Sequence, residues 1–140
     1  AECEHPAEVR PAFAPSAVVW HEPGAPGAAD TGTPADAMRV CVSADFSPDA
    51  AAGYVARRLP LNVPVAKHNP DQPNPKVGVG LVQWSAGGRY LATRNDNMPR
   101  ALWVWDSESF GLHSVLLQQQ AVRAAAWHPQ QQLLALCTAS

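Results

Sequence analysis

The second half of the chain repeats itself, and this repeat constrains the fold more than any other feature. Residues 81–93 (LVQWSAGGRYLAT) align without a gap on residues 124–136 (AAAWHPQQQLLAL). Trp84 then matches Trp127 and Leu91 matches Leu134, at a separation of 43 residues (84 to 127). Val79 and Val122 share the same separation, so the repeat extends upstream of the aligned blocks.

Short apolar runs divided by turn-forming residues predict the strands inside one period. Four strands are expected at 79–84, 90–93, 101–105 and 113–118, and two more at 121–127 and 133–138 open a second unit. A period of about 40–45 residues that holds several short strands is typical of a propeller blade. We therefore expect an all-β fold that forms a fragment of a β-propeller, with one complete blade, one half blade and a long inter-blade linker containing short strands.

The third strand of the complete blade, LWVWD (102–106), is apolar on both of its faces. Because each blade of a propeller is covered on both faces by its neighbours, its inner strands carry apolar residues on both sides. Trp103 and Trp105 have an alternative interpretation as a stacking surface for bases or sugars, but their place inside the repeat favours the core. A blade without neighbours would expose the surfaces around Leu102, Val104 and Trp127, and we expect that exposure here.

The first half of the chain has a different composition. The sequence has 14 prolines, and only Pro99 and Pro129 follow Pro75. We expect five regions: the end of a preceding blade and the start of a linker (1–22), an irregular Ala/Gly/Pro-rich insertion (23–53), the linker into the blade (54–76), the complete blade (77–120) and the first half of the next blade (121–140). SAVVW (16–20) and YVARRL (54–59) predict short strands, whereas MRVCVSADF (38–46) fits either a strand or a collapsed apolar patch.

Composition argues against several classes of function. The net charge is −2 and the sequence has only two lysines, Lys67 and Lys76, so no basic patch for nucleic acid is expected. No apolar run approaches the ~20 residues of a membrane span. Cys3, Cys41 and Cys137 are odd in number and lack a CxxC pair, which favours reduced thiols in a cytosolic protein. Without clustered ligands or a recognisable nucleophile, we predict no metal site, no cofactor and no catalysis.

Several stretches resemble a known family. WVWD (103–106) contains the Trp-Asp pair that names the WD-repeat family, and NPKVGVG (74–80), YLATRNDNMP (90–99) and AVRAAAWHPQQQLLALCT (121–138) are similar to a member found at the centrosome and spindle pole. The resemblance is dense from residue 54 to residue 138, weaker at 3–9 and 16–22, and absent from 23 to 53.

The resemblance implies a hydrogen-bonded group of four side chains in each blade. Three positions match the family pattern: Trp105 in the third strand, Thr93 in the second and Asp96 in the turn between them. The fourth would be a histidine from a Gly-His pair before the first strand. No Gly-His precedes Val79 or Val122, so the fourth member is missing from this pattern.

The resemblance also implies a function. A WD-repeat protein of this kind is a non-catalytic interaction scaffold in the cytoplasm and cytoskeleton, in a complex that anchors microtubule minus ends at the centrosome or spindle pole. Its implied partners are a coiled-coil microtubule-anchoring protein and a minus-end kinesin. The alternative is the propeller domain of an unrelated enzyme or RNA-binding scaffold. The candidate interaction residues follow the second strand, in a stretch that also fits a merely solvated loop: Arg94, Asn95, Asn97, Met98 and Arg100.

Overall fold

A computed structural model describes residues 5–10, 17–22, 37–39, 53–57 and 59–139. All regular structure in these residues is β-strand. The strands are β1 (Glu8–Val9), β2 (Val18–His21), β3 (Ala37–Arg39), β4 (Gly53–Arg57), β5 (Leu61–Asn62), β6 (Val79–Trp84), β7 (Tyr90–Asn95), β8 (Ala101–Asp106), β9 (Gly111–Leu117), β10 (Val122–Trp127) and β11 (Leu134–Thr138).

Strands β6, β7, β8 and β9 form the antiparallel blade that the repeat predicts. Each pairs with the next along the chain, through registers such as Val82↔Thr93 and Thr93↔Trp103. The prediction of the fold class, part of a WD-type β-propeller, is confirmed. Strand β7 runs two residues beyond the predicted end at Thr93 because backbone pairing continues to Asn95, although the apolar pattern has stopped.

The blade continues outward through strands from the first half of the chain. Strand β2 pairs in parallel with β9, β4 pairs antiparallel with β2, and β3 pairs with β4. The resulting sheet has seven strands in the order β3-β4-β2-β9-β8-β7-β6. Of the undecided segment MRVCVSADF, Met38 and Arg39 belong to β3 and the rest lies outside the described residues, as do residues 23–36.

One face of the blade, called here the first face, is covered by residues that are distant in sequence. Strands β1 and β5 pair with each other as a separate two-stranded sheet. Their apolar side chains join a buried cluster with residues of β2, β8 and β9, and this cluster includes the following residues: Val9, Val19, Leu61, Val63, Trp103, Trp105, Leu112, Val115 and Leu117.

The opposite face, called here the second face, is covered by the following repeat. Strands β10 and β11 pair with each other, and Val122 and Ala125 of β10 are buried against the blade. On the blade side, the same cluster contains Leu102 and Val104 of β8. Both are buried, so the expectation that their surfaces would be exposed is wrong for these two residues. The reason is that β10 and β11 pack over this side of β8.

Candidate functional site

Thr93 stands at the centre of a hydrogen-bonded group on the first face. It is buried in β7, two residues before the strand ends, and Trp105 is buried in the neighbouring strand β8. The indole N–H of Trp105 donates to Thr93 Oγ1 at 2.8 Å. A buried indole N–H needs such an acceptor, because an unmade hydrogen bond in the core is costly.

A third side chain reaches the same hydroxyl from the far end of the chain. Nε2 of His5 lies 2.8 Å from Thr93 Oγ1. Since Thr93 already accepts from Trp105, its own O–H is available to donate to His5 Nε2. This arrangement requires a neutral imidazole with its proton on Nδ1.

The surroundings of His5 favour that neutral form. Its ring lies edge-on to Trp103, with centroids 5.2 Å apart, and to Trp105, with centroids 5.8 Å apart. Burial among these rings lowers the pKa of His5 below its ordinary value, because the imidazolium ion loses its hydration there. His5, Thr93 and Trp105 therefore form a structural group that ties the N-terminal segment to the blade.

His5 was not predicted as the fourth member, because the family pattern places that histidine immediately before the first strand of each unit. His5 lies 88 positions from Thr93 and follows Glu4 rather than glycine. No local pattern predicts a contact over that distance. The usable signal was the weak family resemblance at 3–9, which already contains this histidine.

Asp96 pairs with Arg94 rather than with the hydrogen-bonded side chains of Thr93 and Trp105. Its carboxylate accepts a hydrogen bond from Arg94 Nη2 at 2.5 Å, and the Arg94 Nη1 donates to the backbone carbonyl of Val122. Asp96 lies so close to Gly80 that any Cβ at that position would overlap its carboxylate. Arg94 and Asp96 thus link the end of β7 to the start of β10, which fixes the half blade against the complete one.

The candidate interaction residues fall into two groups. Asn97 is held by backbone groups: its Oδ1 accepts from the N–H of Gly78 at 3.2 Å and its Nδ2 donates to the carbonyl of Ala66 at 3.5 Å. Met98 is 5% exposed and packs in the first-face cluster, where it is not presented to a partner. Arg94 is also largely buried, with 16% of its side chain exposed.

The other group is Asn95 and Arg100. Asn95 ends β7, and its side-chain oxygen accepts from the backbone N–H of Asn97 at 2.9 Å, which shapes the turn. Arg100 is exposed immediately before β8. Arg100 is therefore the candidate best placed to contact another protein without disturbing the fold.

The aspartate of the Trp-Asp pair organises the next turn. Asp106 Oδ1 accepts from the backbone N–H of Glu108 at 2.9 Å, and Arg89 Nη2 lies 3.6 Å from Asp106 Oδ2. The hydrogen bond from Glu108 and then the charge of Arg89 lower the pKa of Asp106. The residue stays ionised at neutral pH and stabilises the connection from β8 to β9.

An apolar groove lies on the second face, between the outer strands of the blade and the β10–β11 pair. Its volume is about 820 Å³, and its lining includes Trp20, Tyr90, His113, Trp127 and Leu133. Tyr90 stacks on Trp127 at 6.2 Å between ring centroids and meets His113 edge-on at 5.0 Å. The groove presents aromatic and aliphatic surface for packing.

Two kinds of site are absent from the described part of the chain. No three His, Cys, Asp or Glu side chains in these residues come together as metal ligands would. The same residues contain no helix long and apolar enough to cross a membrane. Cys137 is a free, exposed thiol, whereas Cys3 and Cys41 lie outside the described residues.

Comparison with known proteins agrees with the blade geometry. The chain is 42% identical over 79 residues to mouse (Mus musculus) WD repeat-containing protein WRAP73, a match that covers 56% of this chain and 17% of the relative. The matched part of the chain is similar to WD-repeat proteins, and this similarity agrees with the predicted fragment of a β-propeller. An uncharacterized WD repeat-containing protein of Schizosaccharomyces pombe is 30% identical over 66 residues, covering 46% of this chain and 14% of that protein.

The matches cover part of this chain and a small part of each relative. The chain spans less than one fifth of the length of either relative. No family model matches the chain, and no solved structure matches it. WD-repeat proteins generally act as protein-interaction scaffolds.

Proposed function

We propose that this chain is part of a non-catalytic scaffold that binds protein partners at the centrosome or spindle pole and helps to anchor microtubule minus ends there. The observation that carries the proposal is the 42% identity to a WD-repeat protein over 79 residues, together with the family motifs in β7, β8 and β10. The proposed partners are a coiled-coil microtubule-anchoring protein and a minus-end kinesin.

The geometry supports a binding role at the turn that joins β7 to β8. Backbone bonds in this turn run from Met98 N–H to the Asn95 carbonyl at 2.8 Å and from Ala101 N–H to the Met98 carbonyl at 3.1 Å. A turn held in this way presents Arg100 without a large entropic cost on binding. Arginine is enriched in protein interfaces because its planar head makes several directed hydrogen bonds.

The test is an Arg100→Glu substitution in the tagged protein, followed by imaging in dividing cells and recovery of the partner from the same extracts. Reversed charge at an interface is unfavourable, so capture of the coiled-coil partner should fall while the fold is retained. Arg123→Glu is the matched control, because Arg123 is exposed on β10, outside this turn.

Two results would contradict the proposal. Absence of the unaltered protein from centrosomes and spindle poles would remove the proposed location. Equal partner capture by the Arg100→Glu and Arg123→Glu proteins would remove the turn as the binding surface.

Arg94→Glu is not a suitable test, because it breaks the internal link from Arg94 to Asp96 and Val122.

A further inference from the structure

The turn between β8 and β9 presents an aromatic side chain to solvent. Phe110 is 77% exposed, the largest exposed fraction among the large apolar residues that the structure describes. Turns between the strands of one blade lie at an end of a propeller, whereas the neighbouring blades cover the faces of the sheet. The position of Phe110 is therefore that of a loop residue, and packing between blades does not account for its ring.

The backbone at Phe110 is also unusual, because its φ of 51° lies in the left-handed region. Among the described residues, the other non-glycine residue with a positive φ is Asn74, a residue type that tolerates this region. A bulky side chain is unfavourable there, because its Cβ approaches the following carbonyl oxygen. In the β6–β7 turn the positive φ belongs to Gly88. In the β8–β9 turn the glycine, Gly111, comes one position after the residue that needs its freedom.

Both features of Phe110 oppose the stability of the folded chain. A glycine at this position would relieve the backbone and would also remove an aromatic ring from water. Folding of the blade therefore gives no reason for a phenylalanine here. Residues that break a local rule of folding in this way occur at functional sites.

The turn that carries Phe110 is held in place by its neighbours. The Ser107 N–H donates to the Arg89 carbonyl at 2.9 Å, and the Ser107 hydroxyl donates to the Gly88 carbonyl at 3.0 Å. Arg89 Nη2 lies 3.3 Å from Glu108 Oε2. These contacts tie the β8–β9 turn to the β6–β7 turn, so Phe110 projects from a fixed base.

We propose that Phe110 inserts into an apolar pocket of a protein partner, and that Glu108 contacts a basic side chain at the rim of that pocket. Aromatic side chains dominate the buried centres of protein interfaces, where they fill pockets on the partner. The Glu108 side chain is 68% exposed beside Arg89, so its carboxylate is accessible to a partner's lysine or arginine. Because the turn is already fixed, little conformational entropy is lost on binding.

This surface is separate from the one proposed around Arg100. Arg100 comes directly before the six-residue strand β8 and the Phe110 turn follows it, so the two lie about 20 Å apart at opposite ends of the strand. The blade can therefore hold two partners at once. The Phe110 surface requires neither the location nor the partners proposed above, so either proposal can fail without the other.

The experiment replaces Phe110 with the photoreactive residue p-benzoylphenylalanine in the tagged protein in cells. Irradiation joins this residue to the groups that it touches, and mass spectrometry of the product identifies the attached peptide. We expect one site on one protein, with apolar residues next to lysine or arginine. The control carries the same photoreactive residue in place of Gln130, which is exposed on the β10–β11 turn, and should not give this product.

The purified cross-linked protein is then titrated with variants of the tagged protein. Phe110→Gly should weaken its binding by at least about 30-fold, as for a residue at the centre of an interface. Glu108→Lys should weaken it about three- to ten-fold at low salt, and less at high salt, because it reverses a charge at the rim. Gln130→Gly is the matched control and should bind like the parent protein.

Urea denaturation separates a binding role from a folding role. Since Phe110→Gly relieves the left-handed backbone, it should raise the midpoint by about 0.3–0.5 M urea while it abolishes binding. The proposal is overturned if irradiation gives no discrete product, or if the cross-linked protein binds Phe110→Gly as tightly as the parent. A lower midpoint for Phe110→Gly would equally overturn it, because Phe110 would then serve the fold.

Discussion

The two faces of the blade are covered by segments from different parts of the chain. One segment follows the blade directly, and the other precedes it by many residues. The second face is covered by β10, which follows β9 after a short turn and repeats the pattern of β6. The first face is covered by β1, β5 and His5, which precede the blade and approach it through contacts as distant as 88 positions. Coverage from a neighbouring repeat is visible as periodicity, whereas coverage from a distant segment is not.

The strands that cover the second face were predictable from the repeat, although the burial of Leu102 and Val104 beneath them was not predicted. Matching Trp84 to Trp127 locates β10 and β11, and the apolar pattern of β8 requires cover on both sides. The first-face cover was not predictable, because Val9 lies in a two-residue strand and Leu61 in another. Strands that short have no measurable alternation. His5 was not predicted for a different reason: it lies 88 positions from Thr93 and follows Glu4 rather than glycine.

The largest loss of stability is expected when a large buried side chain is removed from the centre of the first face. Trp105→Ala should reduce the free energy of unfolding by ~3–5 kcal/mol, the range for removing a large buried side chain. Arg100→Ala should change it by less than ~0.5 kcal/mol, as for an ordinary surface position. Urea denaturation of both proteins makes the comparison, and equal losses would mean that Trp105 is not in the core.

A matched pair of smaller substitutions compares how much the segments covering each face contribute to the free energy of unfolding. Val9 covers the first face and Val122 the second, and both are fully buried. Val9→Ala and Val122→Ala should each cost about 2 kcal/mol, because each removes the burial of about two methylene groups and leaves a small cavity. A loss for Val122→Ala with none for Val9→Ala would show that the distant segment does not contribute to the stability of the blade.

The link from His5 to Thr93 can be isolated with a double-mutant cycle. His5→Ala, Thr93→Val and the double variant are unfolded in urea beside the parent chain. The coupling free energy should be about 0.5–1.5 kcal/mol, the usual net value of one hydrogen bond. Thr93→Val also removes the acceptor of the Trp105 indole N–H. That loss occurs both with and without His5, so it cancels from the coupling free energy. A coupling of zero would mean that the two side chains act independently.

The pH dependence of stability follows from the same link. Because burial lowers the pKa of His5, the unfolded chain binds a proton at higher pH than the folded chain does. The contribution of His5 is therefore complete above its ordinary pKa of about 6.5 and is lost as the pH falls through the folded-state pKa. His5→Gln retains an acceptor for Thr93 but does not titrate. The parent chain should lose more stability than this variant on acidification, and parallel pH profiles would exclude the effect.

The smallest change in the free energy of unfolding is expected when the connection between β2 and β3 is replaced. His21 and Ala37 both pair with Val55, on opposite sides of β4, so they are separated by about twice the inter-strand spacing of ~4.8 Å. Residues 23–36 must carry the chain across β4. Replacing them with a Gly/Ser segment of equal length should change the free energy of unfolding by less than ~0.5 kcal/mol, because loop closure depends mainly on length.

Deleting residues 23–36 outright is the contrasting variant. Glu22 would then join Ala37 directly, and one peptide unit of 3.8 Å cannot cross a strand. We expect this deletion to release β3 while the blade remains, because β3 pairs with β4 alone among the described strands. Hydrogen exchange at the backbone amides of β3 separates the two variants, because β3 pairs only with β4 among the described strands: protection should persist with the Gly/Ser segment and decrease with the deletion. Loss of protection in both would mean that the composition of residues 23–36, and not only their number, stabilises the outer strands.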